Sequence, residues 1–379
     1  MQNKQNGGHS AFVKVTDYLY EVTYDSYEDK YEYAREALVN FQPGACSSVQ
    51  NGMIRGRNYD WVYDEAPCFV IHVPAAEGRH ASVGVATPMA LSPAVVDSGE
   101  EPLPLDILPY MTLDGMNDAG LTINGNIVNR GEKGEFEMKS ADPAQHIMPV
   151  MIPRLLLDKA ATIEEAVALL EPLDVTSLGP DDEGHFMITA RASATDDSFK
   201  TVVVEFIPGE DRHYRLNVID KFVGGKPIMT NFHLTDFDGS EESLTPHPMG
   251  YERYLVLQKN YGMGTDVPGM IDLMKKVYYT RNYDLYNENF WYSEYAKIAN
   301  LTMADRGAAY LGGDVSKAGA FAAEIAKEQN DYKHRSRTGG NMTWQTVHMS
   351  VYDIEKREVS VLSQEGSIVY KFDLNGRIG

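Results

Sequence analysis

The chain is patterned as short runs of β-prone residues, each bounded by turn residues, and most of them follow position 46. Strands are predicted at 69–73, 82–86, 121–125, 185–190 and 200–206, and a meander-like series is predicted at 345–353, 358–362 and 367–372. In the first member of that series, Val347, Met349 and Val351 alternate with His348, Ser350 and Tyr352. This period of two predicts a strand with one packed face and one partly open face.

The strongest local signal is a hairpin that begins at Cys46. The runs 46–49 and 53–61 flank Gln50-Asn51-Gly52, and Asn-Gly between β-prone runs is typical of a tight two-strand turn. Before it, residues 1–45 are rich in Tyr, Asp and Glu and end in a Pro-Gly turn that leads to Cys46. That composition predicts a strand and a short helix ahead of the hairpin.

Helices are fewer than strands and are grouped between the strand clusters. Helical spacing is found at 146–158, 251–260, 268–278 and 315–329. A further helix begins at a capping box, Thr162 to Glu165, and is stopped by Pro172. Strands clustered at both ends, with helices between them, favour an α+β fold over an alternating doubly wound sheet.

Composition and net charge exclude several classes of function. The 379 residues are 43% hydrophobic and 23% charged, with a net charge of −21. Such an acidic surface repels phosphate backbones and anionic lipids, so neither nucleic-acid nor membrane binding is expected. The two cysteines exclude a disulfide framework. Because no signal peptide or membrane span is apparent, a cytoplasmic protein is expected. No metal or cofactor motif occurs, so neither group is expected.

Chemistry at Cys46 offers one route to an active site. If the bond between Ala45 and Cys46 is cut, the freed α-amine, with a pKa of about 8, can act as the base for its own thiol. Across the predicted hairpin, Asp60 would orient that amine and Arg57 would lower the thiol pKa. The residues alone equally allow a polar strand end with a surface Arg57–Asp60 pair, so both interpretations stay open at this point.

An ordered series of motifs resembles the choloylglycine hydrolase family of linear-amide hydrolases, which includes bile salt hydrolases, penicillin V acylases and acid-ceramidase-like amidases. Cys46-Ser-Ser-Val and Gly56-Arg-Asn-Tyr-Asp60 are similar to the family's nucleophile hairpin. The segment 114–121, AspGlyMetAsnAspAlaGlyLeu, is similar to its DGMNxxGL signature. The segments 229–232 and 251–254 resemble those that hold a second Asn and a second Arg. The resemblance covers most of 46–379.

The resemblance implies a fold and a set of roles. The fold would be the N-terminal-nucleophile four-layer α-β-β-α sandwich over residues 46–379, preceded by a removable leader, residues 1–45. Cys46 would be the nucleophile, tuned by Arg57 and Asp60. Asn231 would help to stabilise the tetrahedral intermediate, and Arg253 would support the site electrostatically. The oxyanion donor would be Asn126, with Asn124 as the fallback.

The reaction expected is acyl transfer from a small-molecule amide to Cys46, followed by hydrolysis. Cutting of the Ala45–Cys46 bond would be autocatalytic. An apolar acyl site is expected, with wall residues Trp61, Tyr63, Met89, Met116 and Asn124. Two alternatives remain: an acyltransferase that passes the acyl group to an amine, and an unprocessed binding protein with an inert Cys46. A homo-oligomer is compatible with all of these.

Overall fold

The computed structural model describes residues 9–25, 46–61, 67–87, 105, 107–129, 139–142, 145–175, 182–209, 213–235, 237–240, 243, 250–278, 345–364 and 368–379. Its strands, in chain order, are β1 (His9–Thr16), β2 (Leu19–Tyr24), β3 (Cys46–Asn51), β4 (Ile54–Trp61), β5 (Cys68–Val73), β6 (Ser82–Ala86), β7 (Thr112–Asn117), β8 (Thr122–Asn129), β9 (His146–Ile147), β10 (Asp174–Val175), β11 (Asp182–Ser193), β12 (Asp196–Pro208), β13 (Tyr214–Ile219), β14 (Ile228–Met229), β15 (Gln345–Asp353), β16 (Glu358–Ser363), β17 (Val369–Asp373) and β18 (Gly376–Arg377).

Sixteen of these strands form two sheets. Sheet A has nine strands in the order β1-β2-β5-β6-β7-β8-β11-β12-β13. Sheet B has seven in the order β14-β3-β4-β15-β16-β17-β18, and β9 pairs with β10 in a small separate ladder. Nearly all neighbours within the two sheets are antiparallel, and the exception is β2 beside β5. The hairpin of β3 and β4 thus belongs to one sheet, and the signature segment on β7 belongs to the other.

Within the described ranges, four α-helices cover the outer faces of the two sheets. They are α1 (Ile152–Lys159), α2 (Ile163–Leu170), α3 (Tyr251–Asn260) and α4 (Val267–Lys275). Helix α1 packs on β7 and β8 and α2 on β11, whereas α3 packs on β14 and β3 and α4 on β4 and β15. The inner faces meet, for example where β3 contacts β8. This order of layers confirms both the α+β class and the α-β-β-α sandwich. None of the helices described is long and apolar enough to cross a lipid bilayer.

The hairpin at Cys46 forms as predicted, with its turn one position later. Cys46 pairs with Tyr59 and Asn51 pairs with Ile54, so the two turn residues are Gly52 and Met53. Gly52 has a φ of +56°. A glycine at the first of two turn positions suits the type II′ geometry, whose twist matches that of the flanking strands.

The region 146–175 begins later as a helix than the sequence pattern predicts. Residues 149–151 form a 3-10 turn, and α1 starts at Ile152. Pro153 explains the difference, because a proline without an N–H is tolerated in the first helical turn but not inside a helix. The capping box is confirmed, since Glu165 N donates to Thr162 Oγ1 at 3.1 Å. The helix predicted at 315–329 lies outside the described residues.

Strand β15 is buried on both faces, so the prediction of a partly open face was wrong. Met349 and Val351 pack in the apolar cluster beneath α4. The alternating polar residues are buried too and face sheet A, where Ser350 and Tyr352 donate to the Asp114 carboxylate at 2.7 and 2.5 Å. Polar side chains can be buried here because the opposite sheet supplies their hydrogen-bond partners.

The segment before Cys46 contributes to sheet A. Strand β2 lies beside β5, in register from Leu19 opposite Cys68 to Thr23 opposite His72. The side chains of Tyr20 and Val22 are fully buried in the core. Residues 9–25 are therefore built into the same sandwich as the residues that follow Cys46.

Candidate active site

Cys46 is the first residue of β3 and faces sheet A at the point where two strands of that sheet stop pairing. Strands β7 and β8 pair only as far as Asp114 opposite Asn124, and beyond that pair they part. A cavity of about 30 Å³ occupies the fork, a volume that holds about one water molecule. It is lined by Cys46, Arg57, Tyr59, Thr112, Leu113, Gly125, Asn126, Pro149, Val150, Pro153, Gly184 and Phe186.

The lining is mostly apolar, and two glycines bring the strands of sheet A close to an aromatic ring. Phe186 on β11 lies opposite Gly125 on β8. A Cβ added at Gly125 would come within 2.7 Å of the Phe186 ring, and one at Gly184 within 3.2 Å. The thiol of Cys46 therefore lies at an apolar cavity whose size depends on the absence of a side chain at Gly125 and at Gly184.

The main chain of Cys46 is held by side chains from two other segments. Its N–H donates to Asn231 Oδ1 at 3.0 Å, and its carbonyl accepts from Arg253 Nη1 at 2.7 Å. Arg253 Nη2 donates to the same Asn231 oxygen at 2.7 Å. Two donors at that oxygen settle which way the Asn231 amide points, so its Nδ2 faces Ile127 O at 2.8 Å. Asn231 and Arg253 thus meet at Cys46, as the resemblance implies.

The guanidinium group of Arg57 lies beside the thiol. Its Nη2 lies 3.6 Å from Cys46 Sγ and donates to Gly125 O at 2.8 Å. Burial raises the pKa of the Cys46 thiol, and the charges of Arg57 and Arg253 act in the opposite direction, whereas Asp60 adds to the rise. In the uncut chain, burial outweighs the arginines, so the thiol is predominantly protonated near neutral pH.

Asp114 fixes Arg57 from the other side. The Asp114 Oδ2 atom lies 2.5 Å from Arg57 Nη1 and 3.0 Å from His348 Nε2, and Oδ1 accepts from Ser350 and Tyr352. Burial alone would raise the pKa of Asp114, but the charge of Arg57 and the bonds from His348 and Tyr352 hold it well below its usual range. The sequence reasoning did not assign Asp114 a role, although it is the first residue of the signature at 114–121.

Asp60 is buried with one satisfied oxygen. Its Oδ1 accepts from Thr346 Oγ1 at 2.6 Å, and its Oδ2 lies 3.6 Å from Arg253 Nη1. No hydrogen-bond donor within the described part of the chain reaches Oδ2. Burial raises the pKa of Asp60 to about 7, although Arg253, Thr346 and Arg57 all act to lower it. An ionised Asp60 would therefore lack a hydrogen-bond donor at Oδ2.

Asn126 and Asn124 belong to a polar network between the sheets. Asn126 Nδ2 donates to Met229 O at 3.2 Å and Thr230 O at 3.0 Å, and its Oδ1 accepts from Asn124 and Ser48. Both amide hydrogens of Asn126 are thus engaged by carbonyls. Asn126 lines the cavity and Asn124 does not. The oxyanion role of either residue stays a prediction.

The predicted wall residues are not all gathered at the cavity. Trp61 packs in the same apolar cluster as Cys46, without lining the cavity. Met116 packs in a different cluster, with Val83 and Tyr352. Tyr63 and Met89 lie outside the described residues. The residues that do line the cavity near α1, Val150 and Pro153, were missed because they are remote in sequence and ordinary in type.

The described ranges contain no group of three or more His, Cys, Asp or Glu side chains placed to hold a metal ion. Cys46 and Cys68 are both buried in the core, and no disulfide bond joins them.

Comparison with known proteins gives structural likeness only. No family model matches the chain, and no curated protein matches its sequence. The structure is similar to a variant of the conjugated bile acid hydrolase from Clostridium perfringens, with 14% identity, a TM-score of 0.43 and coverage of 88% of this chain and 93% of that one. A second variant of that hydrolase gives 13%, 0.42, 87% and 92%. Penicillin V acylase from Agrobacterium tumefaciens gives 16%, 0.39, 87% and 86%.

Proposed function

We propose that this chain is a cysteine amide hydrolase that cleaves a linear carbon–nitrogen bond through an acyl-enzyme on Cys46. The observation that carries the proposal is the set of side-chain hydrogen bonds to the main chain of Cys46. Side chains from two separate segments, Asn231 and Arg253, bind the N–H and the carbonyl of Cys46, while Arg57 approaches its thiol. Any buried main-chain N–H and carbonyl need hydrogen-bond partners, but here an amide and a charged side chain supply them, and a second buried cation lies beside the thiol. Burying two cations at one cysteine has a desolvation cost that core packing alone does not require.

The first step is cleavage of the bond between Ala45 and Cys46. The Cys46 sulfur attacks the Ala45 carbonyl carbon, and the C–N bond breaks as its nitrogen gains a proton. Water then hydrolyses the resulting thioester, which releases the Ala45 carboxylate and restores the thiol. The new α-amine stays beside Asn231 Oδ1, which already accepts from that nitrogen at 3.0 Å.

The freed amine supplies what the uncut site lacks. Burial raises the thiol pKa, so a base is needed to remove the proton, and an α-amine with a pKa of about 8 is suited to that transfer. When protonated, the amine is a donor of the kind that Asp60 Oδ2 is short of. A salt bridge formed there would lower the Asp60 pKa and orient the amine.

In the amidase cycle the thiolate attacks the substrate carbonyl, and the amine returns the proton to the departing nitrogen. Water then attacks the thioester, with the same amine as base, and the acid leaves. Asn231 is the side chain best suited to stabilise the oxyanion. Its Nδ2 makes one hydrogen bond, to Ile127 O, and an amide nitrogen carries two hydrogens. The cavity lining favours an apolar acyl group.

Intact mass and turnover test the proposal together. In a denaturing intact-mass measurement, purified wild-type protein should appear as the two fragments 1–45 and 46–379, and it should release the acid from a panel of apolar acyl amides. Cys46→Ala should stay full-length and inactive, and Cys68→Ala, which changes the other buried thiol, should be cleaved and active. A wild-type chain that stays full-length and inactive would contradict the proposal. A cleaved Cys46→Ala chain would contradict its autocatalytic step.

A further inference from the structure

Outside the cavity, four hydrogen-bond donors converge on one buried carboxylate. Glu205, on β12, is fully buried, and its Oε1 accepts from Leu234 N at 2.7 Å and from His185 Nδ1 at 3.1 Å. Its Oε2 accepts from Thr235 N at 3.1 Å and Thr235 Oγ1 at 2.6 Å, and His233 Nδ1 lies 3.5 Å away. Three of these donors belong to the main chain or hydroxyl of the segment that carries Asn231.

His185 extends the contact to the other side of Asn231. Its Nδ1 faces the Glu205 carboxylate, and its Nε2 lies 2.9 Å from the carbonyl oxygen of Thr230. Both neighbours are acceptors, so His185 bridges the carboxylate of Glu205 and the carbonyl oxygen of Thr230. His185 therefore holds Thr230, which precedes Asn231, and Glu205 holds residues 234 and 235, which follow it.

The segment needs such support because its own strand is minimal. β14 consists of Ile228 and Met229 alone, at the edge of sheet B, and Asn231 follows it. Glu205 belongs to sheet A, so its bonds tie this edge of sheet B to the opposite sheet. A carboxylate is required, because an amide in either orientation would turn an NH₂ group toward at least two of the donors.

We propose that Glu205, with His185, is the positioning device for Asn231, setting where its amide meets Cys46 and the substrate oxyanion. This inference rests on the proposed function for its effect on catalysis. The hydrogen bond from the main-chain N–H at position 46 to Asn231 Oδ1 is independent of that function.

Two measurements on the full chain test it. In a Cys46→Ala background, Glu205→Gln should speed hydrogen exchange, followed by NMR, at the amides of 234, 235 and position 46 by about tenfold or more. In the wild-type background, Glu205→Gln should lower kcat by about tenfold or more and leave KM unchanged, because an oxyanion donor acts in the transition state. Asp158→Asn is the matched control, a carboxylate-to-amide change in the fully buried Arg154–Asp158 pair, and should spare both readouts.

The outcomes separate the two proposals. If wild type turns over no acyl amide, the proposed function fails, and exchange at position 46 still decides the positioning role. If 234 and 235 lose protection while position 46 keeps it, the positioning role is overturned. If Glu205→Gln does not fold, His185→Phe removes the Thr230 contact and leaves the bonds of Glu205 to Leu234 and Thr235 in place. That variant should then speed hydrogen exchange at the amide of position 46, and an unchanged exchange rate there would overturn the inference.

Discussion

At the scale of single residues, the chemistry of Cys46 is decided by charges that the fold buries beside it. Arg57 lies 3.6 Å from the sulfur and is itself held by Asp114 at 2.5 Å. Neither group can move to water, so their effect on the thiol is stronger than it would be on a surface. The same burial leaves Asp60 with a pKa of about 7.

Arg57→Gln should raise the thiol pKa, because it removes the cation that opposes burial. The pH midpoint for alkylation of Cys46 by iodoacetamide, compared between chains in the same state of cleavage, should move upward. Arg191→Gln, in a pair with Asp197 at the surface, should leave the midpoint unchanged. A midpoint unmoved by Arg57→Gln would contradict the assigned contact.

Asp60 makes the stability of the uncut chain depend on pH. A carboxyl whose folded pKa is raised from 3.8 to about 7 contributes stability that is fully present below the unfolded pKa and is lost as pH rises through the folded value. The loss should be on the order of a few kcal/mol between about pH 4 and 7. Urea unfolding of Cys46→Ala should show this decline, and Asp60→Asn in that background should flatten it. An identical decline in both would refute the assignment.

At the scale of elements, the cavity depends on the fit between β8 and β11. Gly125→Ala would place a methyl group 2.7 Å from the Phe186 ring, so the ring must shift. Overpacking of this kind should lower the free energy of unfolding by about 1–3 kcal/mol and reduce turnover of bulky acyl amides. Gly262→Ala, with no atom within 4 Å of the added carbon and no positive φ, is the control and should change neither. Chemical denaturation and assays on a series of acyl chain lengths check both effects.

At the scale of the whole molecule, cutting at Cys46 need not release residues 1–45. Strand β2 is hydrogen-bonded to β5, and Leu19, Tyr20, Val22 and Tyr24 are buried. Burial of such side chains stabilises by about 1.5–3 kcal/mol each. After cleavage, the two fragments should elute together in size-exclusion chromatography and separate only in denaturant. Elution of the fragment 46–379 alone, under native conditions, would contradict this and would support a removable leader.

Much of this protein was readable from local pattern. Most of the longer strands, the hairpin at Cys46 and the capping box at Thr162 depend on neighbours within a few residues, so alternation, turn residues and helix caps predicted them. Strands β7 and β13 were not predicted. Chemistry at the hairpin pointed to Cys46 and Arg57, and the resemblance added Asn231 and Arg253; these four residues meet in space. The α1 start at Ile152 was missed because a single proline outweighed a helical pattern.

Other features arise only when the two sheets face each other. The polar face of β15 looks like a solvent face in the sequence, because alternation records polarity and not what lies opposite. Asp114 opposite Ser350 and Tyr352, and Glu205 beside Leu234 and Thr235, are contacts between residues far apart in the chain. The sequence alone determined which residues could carry chemistry and which segments would be strands. The tertiary structure alone decided which of them are buried together, because burial, and with it the shifts in pKa and the need for partners, belongs to the packed sandwich and not to any one strand.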